Sequence, residues 1–455
     1  MCRRQPIFDS LDLLPDDQRT AALERIISDD DVQAALEESG RAGRHCPRLP
    51  LDFVVWFVLA LNLFSKDNYR EVFKRLQRFR LGATPSRGTL CDARQALGLM
   101  PLRRLSRRAV GLLGSPDTPG AFYKGMRLMG LDGFVLDVAD SPANDKAFGR
   151  PHSGRSEGAF PQVRVVALCE TGSHVLYRWQ VKTIRRGESS MVPYLLRWLE
   201  ADMLLLWDRN FPSFKNVKAV RDRNANLLAR LKSGPVFEPS EVLPDGSYLS
   251  KIYPSPSARK QGKGGLVVRI IEYTLNDPGR PSKEKGKVQR LLTTLLDAEK
   301  YPAEELIVKY HERWEEELAI DELKTHQKER PVLRSQTPVG VLQEVEGLLL
   351  AHYAIRVVMQ ESAEALGLDP DRLSFTGALR ILRCRLAEVP ADEAGRRRWW
   401  EDLLAEVSEE ILPERRDRVN PRVIKRKMSK WAKKRPQHRR IPQPTMPFAE
   451  CIKIE

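Results

Sequence analysis

Residues 128–231 hold the stretches that decide the fold: LMGLDGFVLDV (128–138), QVRVVALCE (162–170), HVLYRWQV (174–181), SSMVPYLLRWLEA (189–201), DMLLLWD (202–208), FPSFKNVKAVRDR (211–223) and NLLARL (226–231). The first three are short apolar runs that read as strands. Glu170-Thr-Gly-Ser makes a turn that joins the second and third as a hairpin. The fourth is amphipathic and reads as a helix. The fifth is unbroken and apolar, as central parallel strands are, and it is followed by a helix and another strand. Three strands, helix, strand, helix, strand is the pattern of a mixed sheet with helices on its faces.

That order is also the order of the ribonuclease-H-like fold. The expected fold class is therefore α/β. A ribonuclease-H-like mixed sheet carries an inserted β segment, follows an all-helical N-terminal domain and precedes helices with a basic tail. Residues 15–115 read as helices, with Asp16 or Asp17 capping an early one and Asp67 or Asn68 capping YREVFKRLQRF, whose Val72, Leu76 and Phe79 recur at helical spacing. Residues 233–300 are rich in Pro, Gly, Ser and Lys and contain the short β-like runs SYLSKIY, LVVRIIEYTL and VQRLLTTLL. From Pro302 the pattern is helical through Gln327, then again over 338–364 and Phe375 to Leu386. These readings give the boundaries 1–125 (helical, DNA-binding or dimerising), 126–232 (first part of the ribonuclease-H-like domain), 233–300 (inserted β segment), 301–330 (completion of that domain), 331–412 (helical) and 413–455 (basic tail).

The 455 residues exceed one ordinary core. The formal charge is +15 and is unevenly spread: residues 411–440 hold thirteen Lys or Arg against Glu414 and Asp417, so eleven net charges lie in thirty residues. Such a segment wants a polyanion. The longest apolar run, Leu51 to Phe64, is too short to span a bilayer and contains Asp52 and Asn62. MCRRQPIFDS has no apolar stretch behind its arginines, so no secretion signal is expected. The six cysteines form no CxxC pair, which points to reduced thiols and a cytoplasmic, nucleoid-associated protein without membrane contact.

Hydrolysis of a phosphodiester needs an activated water and relief of charge at phosphorus, which two divalent ions about 3.5–4 Å apart supply. Magnesium takes hard oxygen ligands, so carboxylates must converge from separate elements. Three acids stand where this fold would bring them: Asp132 in the first strand, Asp208 at the end of LLLWD, where open α/β sheets place their ligands, and Glu317 in the helix after the insertion. Asp137 and Asp140 compete with Asp132 for the first place. On a continuous α-helix at about 100° per residue, with Tyr310 as zero, Arg313 lies near 300°, Glu317 near 340° and Lys324 near 320°. One face would then offer a phenol, a guanidinium, a carboxylate and an ammonium.

YHERWEEELAIDELK (310–324) reads Tyr-x2-Arg-x3-Glu-x6-Lys and resembles the signature helix of the insertion-sequence-four family of DDE transposases. LDGFVLDVADSPAND, LLLWDRNFPSF, the N-terminal RLPLDFVVWFVLALNLFSKDNYREVFKRL and the C-terminal PRVIKRKMSKW resemble its other landmarks, in family order. Phe134 stands where members usually have Thr. The resemblance implies that Asp132, Asp208 and Glu317 hold two Mg²⁺ ions, with Mn²⁺ able to substitute. Tyr310 and Arg313 would grip phosphates near the cut, and Lys324 would contact the cleaved strand; Lys425, Arg426 and Lys427 in the tail would bind DNA. It further implies cut-and-paste transposition of double-stranded element ends into target DNA by a homodimer, in several members through a hairpin. Relatives use a Trp from the inserted segment to hold an extruded base. This chain has none between 233 and 300, leaving Tyr248, Tyr253 or Tyr273 for that task. A nuclease of the same fold without strand transfer, or a catalytically inactive DNA-binding derivative, are the alternatives.

Overall fold

The computed structural model describes residues 24–42, 49–76, 84–153, 156–232, 234, 236–276, 287–390, 392–413 and 446–454. Lys425, Arg426 and Lys427, the early cap at Asp16 or Asp17, and Phe79 lie outside them. The chain divides into two compact units, residues 1–198 with 314–411 and residues 199–313 with 412–455.

The first unit opens with helices α1 (Asp29–Glu38), α2 (Leu51–Leu63), α3 (Tyr69–Leu76), α4 (Arg87–Leu97) and α5 (Met100–Ala109). Ser28 and Ser86 cap α1 and α4 through their hydroxyls, and Asn68 accepts from the Glu71 amide at the start of α3. The apolar run read above becomes α2, which is buried on all sides. Among the described residues, no helix is long and apolar enough to cross a membrane.

Next come β1 (Met126–Val138), helix α6 (Pro142–Phe148), β2 (Gln162–Glu170), β3 (Val175–Thr183) and the short helix α7 (Val192–Leu196). β1, β2 and β3 form an antiparallel sheet from the three apolar runs read as strands, with β2 and β3 joined at residues 171–174. The helix expected over 189–201 is shorter than its pattern: a 3₁₀ turn at Glu188–Ser190 leads into α7, whose Pro193 is tolerated only in the first turn.

The second unit begins with β4 (Met203–Trp207), α8 (Phe214–Arg221) and β5 (Asn226–Arg230), with β4 and β5 parallel, as the βαβ reading requires. The expected β runs of 233–300 become β6 (Tyr248–Ile252), β7 (Leu266–Leu275) and β8 (Gln289–Thr293). They continue the same sheet: β8 pairs antiparallel with β5, β7 with β8 and β6 with β7. Arg269 on β7 is fully buried, ion-paired with Asp245 and donating to the Tyr301 carbonyl at 2.7 Å. The unit's last helix before the chain returns is α9 (Ala303–His311).

Back in the first unit follow α10 (Trp314–Asp321), a π turn (Glu322–Gln327), α11 (Pro338–Glu364), α12 (Phe375–Arg385) and α13 (Glu393–Ser408). The strand Val332–Leu333 pairs parallel with β1 at Asp137 and Val138. α11, capped by Thr337 with Pro338 in its first turn, spans the residues its periodicity predicts. It meets α2 at Gly347, where a Cβ would lie 2.6 Å from Asn62 Nδ2 and 3.0 Å from the Val58 carbonyl oxygen. The core below the β1–β2–β3 sheet joins Phe134, Val163 and Val165 to Ile320, Leu323 and Leu348.

One expectation is corrected here. The helix read as continuous from Pro302 to Gln327 is broken at Glu312 and Arg313, and its last six residues form a π turn. A constant angular step therefore does not run from Tyr310 to Lys324, and the single-face argument fails.

Candidate active site

In the second unit, Asp208 follows the last residue of β4 directly and is half-buried. Its backbone oxygen accepts from the Phe211 amide at 3.2 Å, making the turn that leads to α8. Among the described residues its side chain takes one hydrogen bond, a long one of 3.5 Å from Asn210 Nδ2. Trp207 before it is fully buried and stacks on Phe211, with centroids 5.5 Å apart. Tyr310, on α9, is buried and its hydroxyl donates to the Trp207 carbonyl at 3.3 Å. Burial pushes the phenol up to about 12, with Asp208 adding to the rise and Arg313 and Arg230 opposing it. Asp208, Tyr310 and Arg313 are thus neighbours, and they bring in Arg230, at the end of β5. Nothing in the sequence singled out Arg230; the register that sets Ala229 beside Trp207 puts it there.

In the first unit, Asp132 lies in the middle of β1, half-buried and opposite Ala167 of β2, and its Oδ1 accepts from the Gly133 amide at 2.7 Å. A Cβ on Gly133 would lie 2.8 Å from the carboxyl carbon of Glu188, itself paired with Arg164 at 2.6 Å. Glu188 is a further acid at this strand that the sequence reading missed. The competitors of Asp132 are occupied: Asp137 accepts from Gln162 Nε2 at 2.7 Å, and Asp140 is ion-paired with Arg150.

Glu317 and Lys324 are both half-buried. Their helix crosses β1 at Gly130, where a Cβ would lie 2.6 Å from Glu316 Oε2. Glu316, the residue before Glu317, therefore lies over a glycine two positions from Asp132. Near Lys324 stands Lys328, whose ammonium is lowered by burial, and by Lys324, against the pull of Asp137.

A second group of acids on this helix does something else. His174, Glu315 and Asp371 present ligand atoms within 4.8 Å of one another, a span that one metal ion could bridge. The surroundings favour an ion network. His174 Nδ1 faces Glu322 Oε1 at 2.9 Å, while its Nε2 faces Glu315 Oε2 at 3.2 Å and Asp371 Oδ1 at 3.1 Å. Carboxylate oxygens only accept, so both ring nitrogens must donate and the ring is an imidazolium. Burial opposes that charge, but Asp371 and Glu322 outweigh it and hold the imidazole well above its ordinary range. Arg356 completes the group, reaching Glu322 Oε1 at 3.3 Å, Asp371 Oδ1 at 3.2 Å and the Ser173 carbonyl at 2.7 Å.

Comparison with known proteins decides what these acids belong to. Residues 18–107 match the insertion element 4 transposase N-terminal family, and residues 124–354, which include Asp132, Asp208, Glu317 and Lys324, match the transposase DDE domain. The chain is 31% identical over 410 residues to the transposase InsG for insertion sequence element IS4 of Escherichia coli K12, covering 88% of this chain and 90% of that one. The chain belongs to the IS4 family of DDE transposases.

The transposase is thus a DNA-cleaving and strand-transferring enzyme that binds DNA, with the mixed α/β, ribonuclease-H-like fold of its family. Its DDE domain implies dependence on divalent metal. It is also 25% identical over 200 residues to the putative transposase InsZ of the same organism, covering 43% of this chain and 65% of that one. Among solved structures it is similar to the piggyBac transposase synaptic complex with hairpin DNA, at 12% identity and a TM-score of 0.41, covering 86% of this chain and 84% of that one.

Proposed function

We propose that Asp132, Asp208 and Glu317 are the metal-holding acids of this transposase and that a homodimer of it, on the nucleoid, joins the two ends of its element to target DNA. The observation that carries the reading is where these acids stand on the fold. These three are half-buried carboxylates at the middle of β1, just past the end of β4 and on α10, all within the residues that match the transposase DDE domain. Hard oxygens on rigid strands and a helix fit Mg²⁺, or Mn²⁺ in its place. When bound, a pair of such ions would lower the pKa of a water and neutralise charge on the phosphate.

The side chains divide the remaining work. Arg313 and Arg230 supply fixed positive charge next to Asp208, suited to a phosphate oxygen. Tyr310 holds the β4 end by its bond to the Trp207 carbonyl and has Arg313 against its hydroxyl. Lys324 supplies ammonium charge for the cleaved strand, with Lys328 buried near it and donating to the Arg330 and Pro331 carbonyls. Lys425, Arg426 and Lys427 add phosphate contacts that make binding salt-dependent. In cleavage, water oxygen bonds to phosphorus as the 3′ oxygen leaves and is protonated. In joining, that 3′ hydroxyl is the nucleophile and a target 3′ oxygen leaves.

For an extruded base, Tyr273 is a poor holder, being fully buried with its hydroxyl on Gln289. Tyr248 and Tyr253 are half-buried and remain candidates. The assay is supercoiled plasmid carrying element ends with Mg²⁺. Wild type gives joined product; D132N, D208N and E317Q shift the DNA without cutting it. Full cleavage by any of the three removes that residue from the site, linear product alone from wild type means a nuclease, and shifted but uncut DNA means an inactive binder.

A further inference from the structure

The imidazolium of His174 faces two carboxylates of one helical segment. Glu315 lies in the first turn of α10, and Glu322 is the first residue of the π turn. They are seven residues apart, which is about two helical turns, so they share a face. Glu317 is two residues from Glu315 and lies about 200° round the axis, on the other side. The two tethers and the proposed metal acid therefore occupy opposite faces of α10.

Glu322 is the most heavily tied of the group. His174 Nδ1 at 2.9 Å and Arg356 Nη1 at 3.3 Å share its Oε1, and His352 Nε2 takes Oε2 at 3.1 Å. These donors come from the β2–β3 turn and from α11, both fixed in the core. His174 itself has φ +56, left-handed backbone that a residue with a Cβ adopts only when its surroundings hold it there. Glu322 also marks the point where α-helix gives way to π, a wider turn that resets the direction of the side chains after it. Lys324 comes two residues later.

We propose that His174, Glu322 and Arg356 are positioning residues that fix the rotation of α10, and so aim Glu317 on one side of the π turn and Lys324 on the other. This rests on the assignment of Glu317 as a metal-holding acid. A network that served folding alone would set how much protein is folded. A positioning network also sets how well each folded molecule gathers metal.

The test uses the full chain bound to element-end DNA. E322Q places an amide donor against donors, H174Q removes one of the two opposed N–H groups, and R356K keeps the charge but loses the fork. For variants shown to be folded by circular dichroism and gel filtration, Mn²⁺ binding is read by electron paramagnetic resonance and the metal dependence of end cleavage is read alongside. The expected result is Mn²⁺ binding weaker by tenfold or more, with half-maximal cleavage displaced by the same factor and DNA affinity reduced by no more than a few-fold through Lys324. If E322Q does not fold, R356K and H174Q give the reading.

Unchanged Mn²⁺ affinity in folded variants overturns the proposal while leaving Glu317 in place, provided that E317A is inactive. Full cleavage by E317A overturns the Glu317 assignment and the proposal with it. Stoichiometric Zn²⁺ binding by the wild type that H174Q abolishes would make His174, Glu315 and Asp371 a metal site, which also overturns it.

Discussion

The carboxylate at the end of β4 and the carboxylate at the start of the π turn are both acids in a catalytic domain, yet their surroundings are opposite. Glu322 receives three donors from two fixed elements and belongs to a network of two cations and three acids. Among the described residues Asp208 receives one long contact from its own turn, while the residue before it is pinned by stacking and by Tyr310. The network immobilises a side chain; the strand end immobilises a backbone and leaves the side chain its coordinating capacity. An acid already satisfied by protein donors has little left for a ligand, whereas an acid on a rigid but unsaturated mount does.

The largest effect expected from this contrast is on activity alone. D208N should reduce end cleavage about a thousandfold or more, several kcal/mol of lost charge stabilisation, and change stability by no more than about 0.5 kcal/mol. A gel assay of labelled ends with a thermal melt checks both, and a D208N enzyme that melts far lower would dissolve the distinction. The mirror case is Glu322→Ala, which strands His174 and Arg356 without their shared partner. It should cost about 3–5 kcal/mol, read from chemical denaturation.

The pH dependence of stability sharpens the same contrast. Burial opposes the charged form of His174, but Asp371 and Glu322 outweigh it and raise its folded value above the ordinary 6.5. Its contribution is therefore fully present below about pH 6.5 and is lost as pH rises through the raised folded value. Burial likewise opposes the charge on Glu322, but Arg356 and His174 outweigh it and lower its folded value below the ordinary 4.5. That contribution is present above about pH 4.5 and is lost as pH falls through the lowered value. The melting difference between wild type and H174Q should shrink on the alkaline side.

Smaller effects follow elsewhere. Gly347→Ala puts a methyl against Asn62 and Val58 at the α2–α11 crossing and should cost about 1–3 kcal/mol by overpacking, measured by urea unfolding. Tyr310→Phe removes the hydroxyl's bonds to the Trp207 carbonyl and with Arg313 and should cost about 1–2 kcal/mol. A reduction in cleavage well beyond that fraction would mean that the hydroxyl also touches DNA.

Much of the fold is legible along the chain because its cues are local. Short apolar runs with a turn between the last two mark β1 to β3, the unbroken run marks β4, and a helical pattern over 338–364 marks α11. The strand positions of Asp132 and Asp208 are legible for the same reason, each lying in or directly after a run that reads as a strand. The break at Glu312 and Arg313 was not legible, since YHERWEEELAIDELK carries no proline or glycine and every residue in it tolerates a helix.

The order of strands and helices, the reach of α11 and the strand positions of Asp132 and Asp208 were set by residue pattern alone, because period and propensity act between near neighbours. Three features came only from tertiary structure: the π turn at Glu322, the pairing of β8 with β5, and the protonated His174 among Glu315, Glu322 and Asp371. Each depends on which distant groups meet in a buried place, and there low polarity makes one unpaired charge cost more than any local preference can supply.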